Sequence, residues 1–178
     1  MKKYELIKDE PTGLFRIKAL IEIGNIVSVG DMGGLIESEE NLSHDGNAWV
    51  YGNARVSGNA WVYGNARVYG NARVSGDAWV SGDAWVSGNA EVIDPQDVLI
   101  IGPIGSRNGI LTLYRTKGGS CEVVAGCFRG SIDEFETKLS QTHKPESNHF
   151  IKYSAMLPLL RTTASLFKKE VEEVEVES

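Results

Sequence analysis

The chain has 178 residues, 42% of them apolar, a formal net charge of −6 and two cysteines. That length permits one domain or two small ones, and the apolar share supports a folded core. The acidic balance repels a phosphate backbone, two cysteines make no disulfide framework, and no apolar run could span a membrane, so nucleic-acid binding, a disulfide-stapled scaffold and a membrane protein are not expected.

Residues 1–45 read as a lead-in. The opening Met1-Lys2-Lys3-Tyr4-Glu5-Leu6 lacks the apolar stretch of a signal peptide, so a cytoplasmic location is expected. Tyr4 to Ile7 and Leu14 to Ile21 predict a hairpin around Glu10-Pro11-Thr12-Gly13. Val29-Gly30-Asp31-Met32-Gly33-Gly34-Leu35-Ile36 then turns into degenerate rungs, with Ile36 and Leu42 six residues apart. From Leu42 to Val50 the step is eight, so two residues are inserted before a regular repeat begins.

That repeat comprises eight six-residue units from Gly46 to Ile93, each reading Gly-(Asn/Asp)-Ala-x-Val-x. A fixed short period means one unit stacked on copies of itself. Alanine and valine are two apart, so in an extended segment both point to one face. Between them Trp49, Arg55, Trp61, Arg67, Arg73, Trp79, Trp85 and Glu91 are expected to point outward. Gly-Asn or Gly-Asp supplies the corner, because glycine tolerates positive φ. The pattern predicts a β-solenoid over residues 46–97, and a solenoid needs its open ends covered. Residues 1–45 are the expected N-terminal β cap.

Asp94-Pro95-Gln96-Asp97 breaks the rule, and a small α+β module is predicted over residues 98–167. Val98 to Ile104, Gly109 to Thr116 and Cys121 to Phe128 read as three strands with hairpin-grade turns between them. Ser131-Ile132-Asp133-Glu134 is a capping-box start for a helix to about His143. A second helix is expected from His149 to Phe167, kinked or interrupted at Pro158. Residues 168–178, almost entirely Lys, Glu and Val, read as an acidic disordered tail.

The repeat resembles the hexapeptide-repeat, left-handed parallel β-helix family, in which an aliphatic residue opens each hexad and a small one follows four later, as Val50 and Ala54 do here. The start, from Val29-Gly30-Asp31-Met32-Gly33-Gly34-Leu35-Ile36 to Gly46-Asn47-Ala48-Trp49-Val50, resembles YdcK-like proteins, whose acyltransferase label is itself inferred from the repeat. Both ends, including Gly102-Pro103-Ile104-Gly105-Ser106-Arg107-Asn108-Gly109 and Gly126-Cys127-Phe128-Arg129-Gly130, resemble phage and prophage hexapeptide proteins. The resemblance implies eighteen residues per triangular coil, so residues eighteen apart stack in columns, and it implies a homotrimer. The columns are then Trp49-Arg67-Trp85 flanked by Tyr51 and Tyr69, Trp61-Trp79 flanked by Tyr63, and Arg55-Arg73-Glu91. Trp49, Trp61, Trp79, Trp85, Tyr51, Tyr63, Tyr69 and Arg67 are the candidate interface.

Candidate chemistry is sparse. Hexapeptide acyltransferases use a histidine base in the solenoid; the eight repeats hold none, and His44, just before them, is the fallback. No metal or cofactor is expected, because Cys121, Cys127, His143 and His149 match no zinc spacing. Cys121 and Cys127 share strand parity and read as two buried thiols. A Cys127–His143 thiolate pair would need the first helix to return beside the last strand. Asn and Asp corners can form ladders such as Asn59 over Asp77. Anion binding has two supports: Arg107 and Asn108 in a polar turn, and Arg129 and Ser131 before a helix N-terminus. The function expected is a non-catalytic, phage or prophage assembly protein: a trimeric β-helix presenting a small binding module, acting on a host protein such as a defence component. Alternatives are a sponge for an anionic nucleotide-like signal and an acyltransferase using His44.

Overall fold

The computed structural model describes residues 1–167. The predicted acidic tail at 168–178 lies outside the described residues. Strands β1 (Tyr4–Lys8) and β2 (Phe15–Ala19) form an antiparallel hairpin, and β3 (Met32–Ile36) pairs antiparallel with β2. Eight two-residue strands follow, one per repeat: β4 (Trp49–Val50), β5 (Arg55–Val56), β6 (Trp61–Val62), β7 (Arg67–Val68), β8 (Arg73–Val74), β9 (Trp79–Val80), β10 (Trp85–Val86) and β11 (Glu91–Val92). They stack as three parallel walls, β3-β5-β8-β11, β4-β7-β10 and β6-β9.

Every pairing within the repeat joins residues eighteen apart, as in Trp61↔Trp79 and Arg55↔Arg73. The first coil pairs Leu35↔Arg55 and Leu42↔Val62, a step of twenty, so the two extra residues before Val50 are absorbed in that coil. The chain is therefore mainly β, a solenoid of about three stacked coils. All inward alanines and valines from Ala48 to Val92 are at most 1% exposed and form one continuous core. The corner glycines make this possible: Gly64 has φ 70°, and a Cβ there would stand 3.0 Å from the Gly82 nitrogen one coil below. Asn65 donates to Asp83 (2.9 Å) and Asn59 to Asp77 (3.0 Å), so the expected corner ladder forms.

The hairpin extends the β3 wall and covers the first coil. One consequence corrects the sequence reading. Trp49 has the outward parity expected of it but is 1% exposed, because Tyr4 lies edge-on to its ring at 6.1 Å. Asn41 pins the same end: it accepts from the Glu37 and Ser38 amides and donates to the carbonyls of Gly58 and Ala60, each at 2.9–3.0 Å.

The other end is closed by β12 (Val98–Ile104), β13 (Gly109–Arg115), β14 (Cys121–Ala125) and β15 (Phe128–Gly130), an antiparallel sheet in that order. The sequence predicts three strands. The third divides because the chain turns at Gly126, φ 60°, placing Ala125 opposite Phe128. Cys127 therefore sits exposed in the turn rather than buried beside Cys121.

Alternation gives the sheet two faces. Val98, Ile100, Tyr114 and Val124 join the solenoid core, while Leu99, Ile101, Leu111, Leu113 and Val123 pack beneath α1 (Ile132–Thr142) and α2 (Asn148–Leu166). Pro158 does not interrupt α2. No helix among the described residues is long and apolar enough to cross a membrane.

Candidate functional site

The solenoid walls carry the outward side chains, and the three walls differ. On the β4-β7-β10 wall the Arg67 guanidinium lies 5.2 Å from the Trp85 ring centre, and Tyr69 meets the same ring edge-on at 6.5 Å. Trp49 is covered and Arg67 lies over Trp85, although the Trp85 ring is still 36% exposed. Tyr51 is half-buried beside it; burial pushes its phenol up, against the opposing effect of Arg67, and its hydroxyl has no hydrogen-bond partner among the described residues.

On the β6-β9 wall Trp61 and Trp79 stand in direct register, 39% and 57% exposed. The two rings do not stack on one another; Trp61 lies on Tyr63 at 4.1 Å, an intra-rung pair. On the β3-β5-β8-β11 wall Arg55 and Arg73 are exposed neighbours and make no hydrogen bond or ion pair among the described residues. The residues eighteen positions on in the two columns are Glu91 and Asp97. Both belong to Arg115, which is 3% exposed and reaches Glu91 at 3.6 Å and Asp97 at 3.2 Å. No periodicity marks Arg115 in the sequence, yet it ties the closing sheet to the last coil. Tyr114, hydrogen-bonded to Glu122 (2.6 Å) and within 3.1 Å of the Ser87 hydroxyl, does the same work nearby.

His44 is built into the N-terminal cap. Its Nδ1 accepts the Lys3 amide at 3.1 Å, its ring stacks on Tyr4 at 4.3 Å, and its Nε2 lies 3.8 Å from the Glu39 carboxylate. That carboxylate is held below its usual range chiefly by its hydrogen bond from Lys2. Lys3, 1% exposed, donates to the Ala48 carbonyl at 2.9 Å; burial pulls its ammonium down to about 8, against the pull of Asp45. The Nε2 atom is buried and makes no hydrogen bond among the described residues, so the ring, stacked and held at Nδ1, offers a substrate hydroxyl no open approach and has the geometry of a packing residue.

The anion candidates do not converge. Arg107 and Asn108 occupy the β12–β13 turn, where Asn108 takes a left-handed φ of 49°. Arg129 lies in the row Thr112–Val124–Arg129, two strands across, which puts the two arginine backbones on the order of 15 Å apart. Arg129 is engaged by Glu122 at 2.9 Å. Ser131 caps α1, and the Glu134 carboxylate already accepts its amide (2.7 Å) and hydroxyl (3.0 Å). An acidic side chain of the chain's own therefore fills the place of an incoming anion.

Among the described residues no three His, Cys, Asp or Glu side chains converge as metal ligands. Cys121 is half-buried, its thiol pushed up by burial and then by Asp133. His143 and His149 face one another at 5.7 Å without a cysteine. An open groove of about 450 Å³ runs between α1 and α2 over Leu139, Phe150, Leu157 and Pro158, with Arg161 bonded to Asp133 (2.7 Å) and Glu136 (2.6 Å) at its rim. Of its polar lining, the Glu136 carboxylate is paired with Arg161 and the Ser140 hydroxyl donates to the Glu136 carbonyl.

The YdcK Beta solenoid repeat model matches residues 48–64, 62–74 and 66–82, overlapping stretches that coincide with the stacked coils. No curated protein and no solved structure matches the chain. The coils over residues 48–82 are similar to the YdcK β-solenoid repeat.

Proposed function

We propose that this protein is a non-catalytic assembly scaffold: a left-handed solenoid that associates side by side into a homotrimer and carries the sheet-and-helix module as its binding part. The reading rests on Trp61 and Trp79, exposed in register on a lateral wall while the chain's own hairpin and sheet close both ends. Exposed aromatics on a rod that cannot grow along its axis favour side-to-side contact. The anchored His44 speaks against an acyltransferase base, and the separation of Arg107 from Arg129 speaks against a nucleotide sponge. A phage or prophage source, and a role against a host defence component, enter the proposal only through the resemblance of both chain ends.

Sedimentation velocity tests it. The wild-type chain should sediment as a trimer, and Trp61→Ala/Trp79→Ala as a folded monomer. A monomeric wild type sinks the scaffold reading, and saturable binding of acetyl-CoA by the wild-type chain would revive the enzyme reading.

A further inference from the structure

We infer that the self-association just proposed is heterologous: the Arg55–Arg73 column of one copy packs on the Trp61–Trp79 column of the next. The inference rests on the scaffold reading and names the two surfaces that would carry it.

The first observation is an unbalanced cation pair. Arg55 and Arg73 are direct neighbours across a parallel pairing, where like charges oppose one another. Other arginines of the solenoid and its caps are engaged, Arg16 with the carbonyls of Gly33 and Gly52, Arg67 with Trp85, Arg115 with Glu91 and Asp97, and Arg129 with Glu122, whereas Arg107 is exposed in the β12–β13 turn rather than on a wall of the repeat. Arg55 and Arg73 alone stand on a wall of the repeat without a partner among the described residues.

The second is a matching pair of rings. Trp61 and Trp79 are exposed on the next wall, and a guanidinium over an indole is a favourable contact. The chain already uses it between coils, with Arg67 over Trp85.

The third is register. Arg55 and Trp61 are six residues apart in one coil, and Arg73 and Trp79 occupy the same places in the next. Both columns therefore repeat at the rung spacing of about 4.8 Å, offset from one another along the axis by about a third of a rung because the coil advances as it turns. Both also end at the same coil, where Glu91 and Asp97 turn to Arg115. A copy related by rotation about an axis parallel to the solenoid brings Arg55 beside Trp61 and Arg73 beside Trp79 to within that offset, which the long side chains span, so the contact closes a ring rather than a helical filament. The wall of Arg67 and Trp85, whose cation and ring already pair with each other, is left facing outward.

Complementation separates this arrangement from a symmetric tryptophan-to-tryptophan contact. Arg55→Glu/Arg73→Glu and Trp61→Ala/Trp79→Ala are purified as full chains and run in sedimentation velocity, singly and in equimolar mixture. Each alone should be monomeric with unchanged circular dichroism, because all four side chains are exposed. The mixture should give a one-to-one heterodimer, since one variant keeps the arginine column and the other the tryptophan column. R55Q/R73Q repeats the test without charge reversal and should lose the trimer as well. Arginine variants that keep the wild-type size, beside a monomeric tryptophan variant, overturn the heterologous contact and leave the scaffold standing. A mixture that stays monomeric also overturns it. A wild-type monomer removes both readings together.

Discussion

Replacing Arg115 with methionine should be the most damaging single change at the C-terminal junction. The guanidinium is 3% exposed and lies between Glu91, 3.6 Å away on the last solenoid strand, and Asp97, 3.2 Å away in the turn that leaves it. Their side chains are only 14% and 6% exposed, so removing the cation strands two carboxylates where water reaches poorly. Removing one partner of a buried ion pair costs about 3–5 kcal/mol, largely because the remaining charge is left uncompensated. Asp97 keeps its hydrogen bonds from the Ile93 and Asp94 amides, which places the expectation at the lower end, about 3 kcal/mol. With a urea slope of about 2 kcal/mol per molar, the midpoint should fall by roughly 1.5 M. The assay is urea denaturation followed by circular dichroism. The triple variant Arg115→Met/Glu91→Gln/Asp97→Asn should recover at least half of the loss, because an uncharged trio leaves no stranded charge. A loss below about 1 kcal/mol for Arg115→Met, the size of an exposed pair, would refute the reasoning.

Trp49→Ala should cost about 3–5 kcal/mol, as for a buried aromatic, whereas Trp79→Ala should change the stability of the isolated chain by less than about 1 kcal/mol; equal losses in thermal or urea melts would mean that the hairpin does not cover Trp49. Lys3 should give a pH signature. Its folded-state pKa is lowered to about 8 from 10.5, so its buried charge costs stability in full below pH 8 and the cost is relieved as pH rises towards 10.5. The advantage of Lys3→Met over wild type should therefore shrink between pH 7.5 and 10.5, by up to about 3 kcal/mol, and a flat difference in paired melts would contradict the burial. Gly82→Ala, with φ 61° and open space at its Cβ, should cost about 1–2 kcal/mol, while Gly64→Ala, crowded by the next coil, should cost more; the reverse order in urea melts would undo the corner argument.

The solenoid was legible because its period is written residue by residue: glycine sets the corner, and alanine and valine two apart set the core. The two-residue insertion before Val50 could be read as well, and it appears as the twenty-residue first coil. Parity told which way Trp49 points but not what lies over it, because the covering ring of Tyr4 comes from 45 residues earlier. Parity failed at Cys127 for a different reason: the strand had already turned at Gly126. The capping box at Ser131 was readable, and it carried its own answer to the anion proposal, since the Glu134 that completes the box occupies the helix N-terminus. Arg115 was missed as a residue, although the column arithmetic that places Glu91 below Arg73 and Asp97 below Trp79 points to two acids in need of one cation.

Native mass spectrometry of the freshly purified wild-type chain tests the central claim most directly. Lateral association through the exposed solenoid walls predicts a dominant species at three times the 19.4 kDa chain mass. A dominant species at the single-chain mass, across the concentrations at which the protein stays folded, would contradict it.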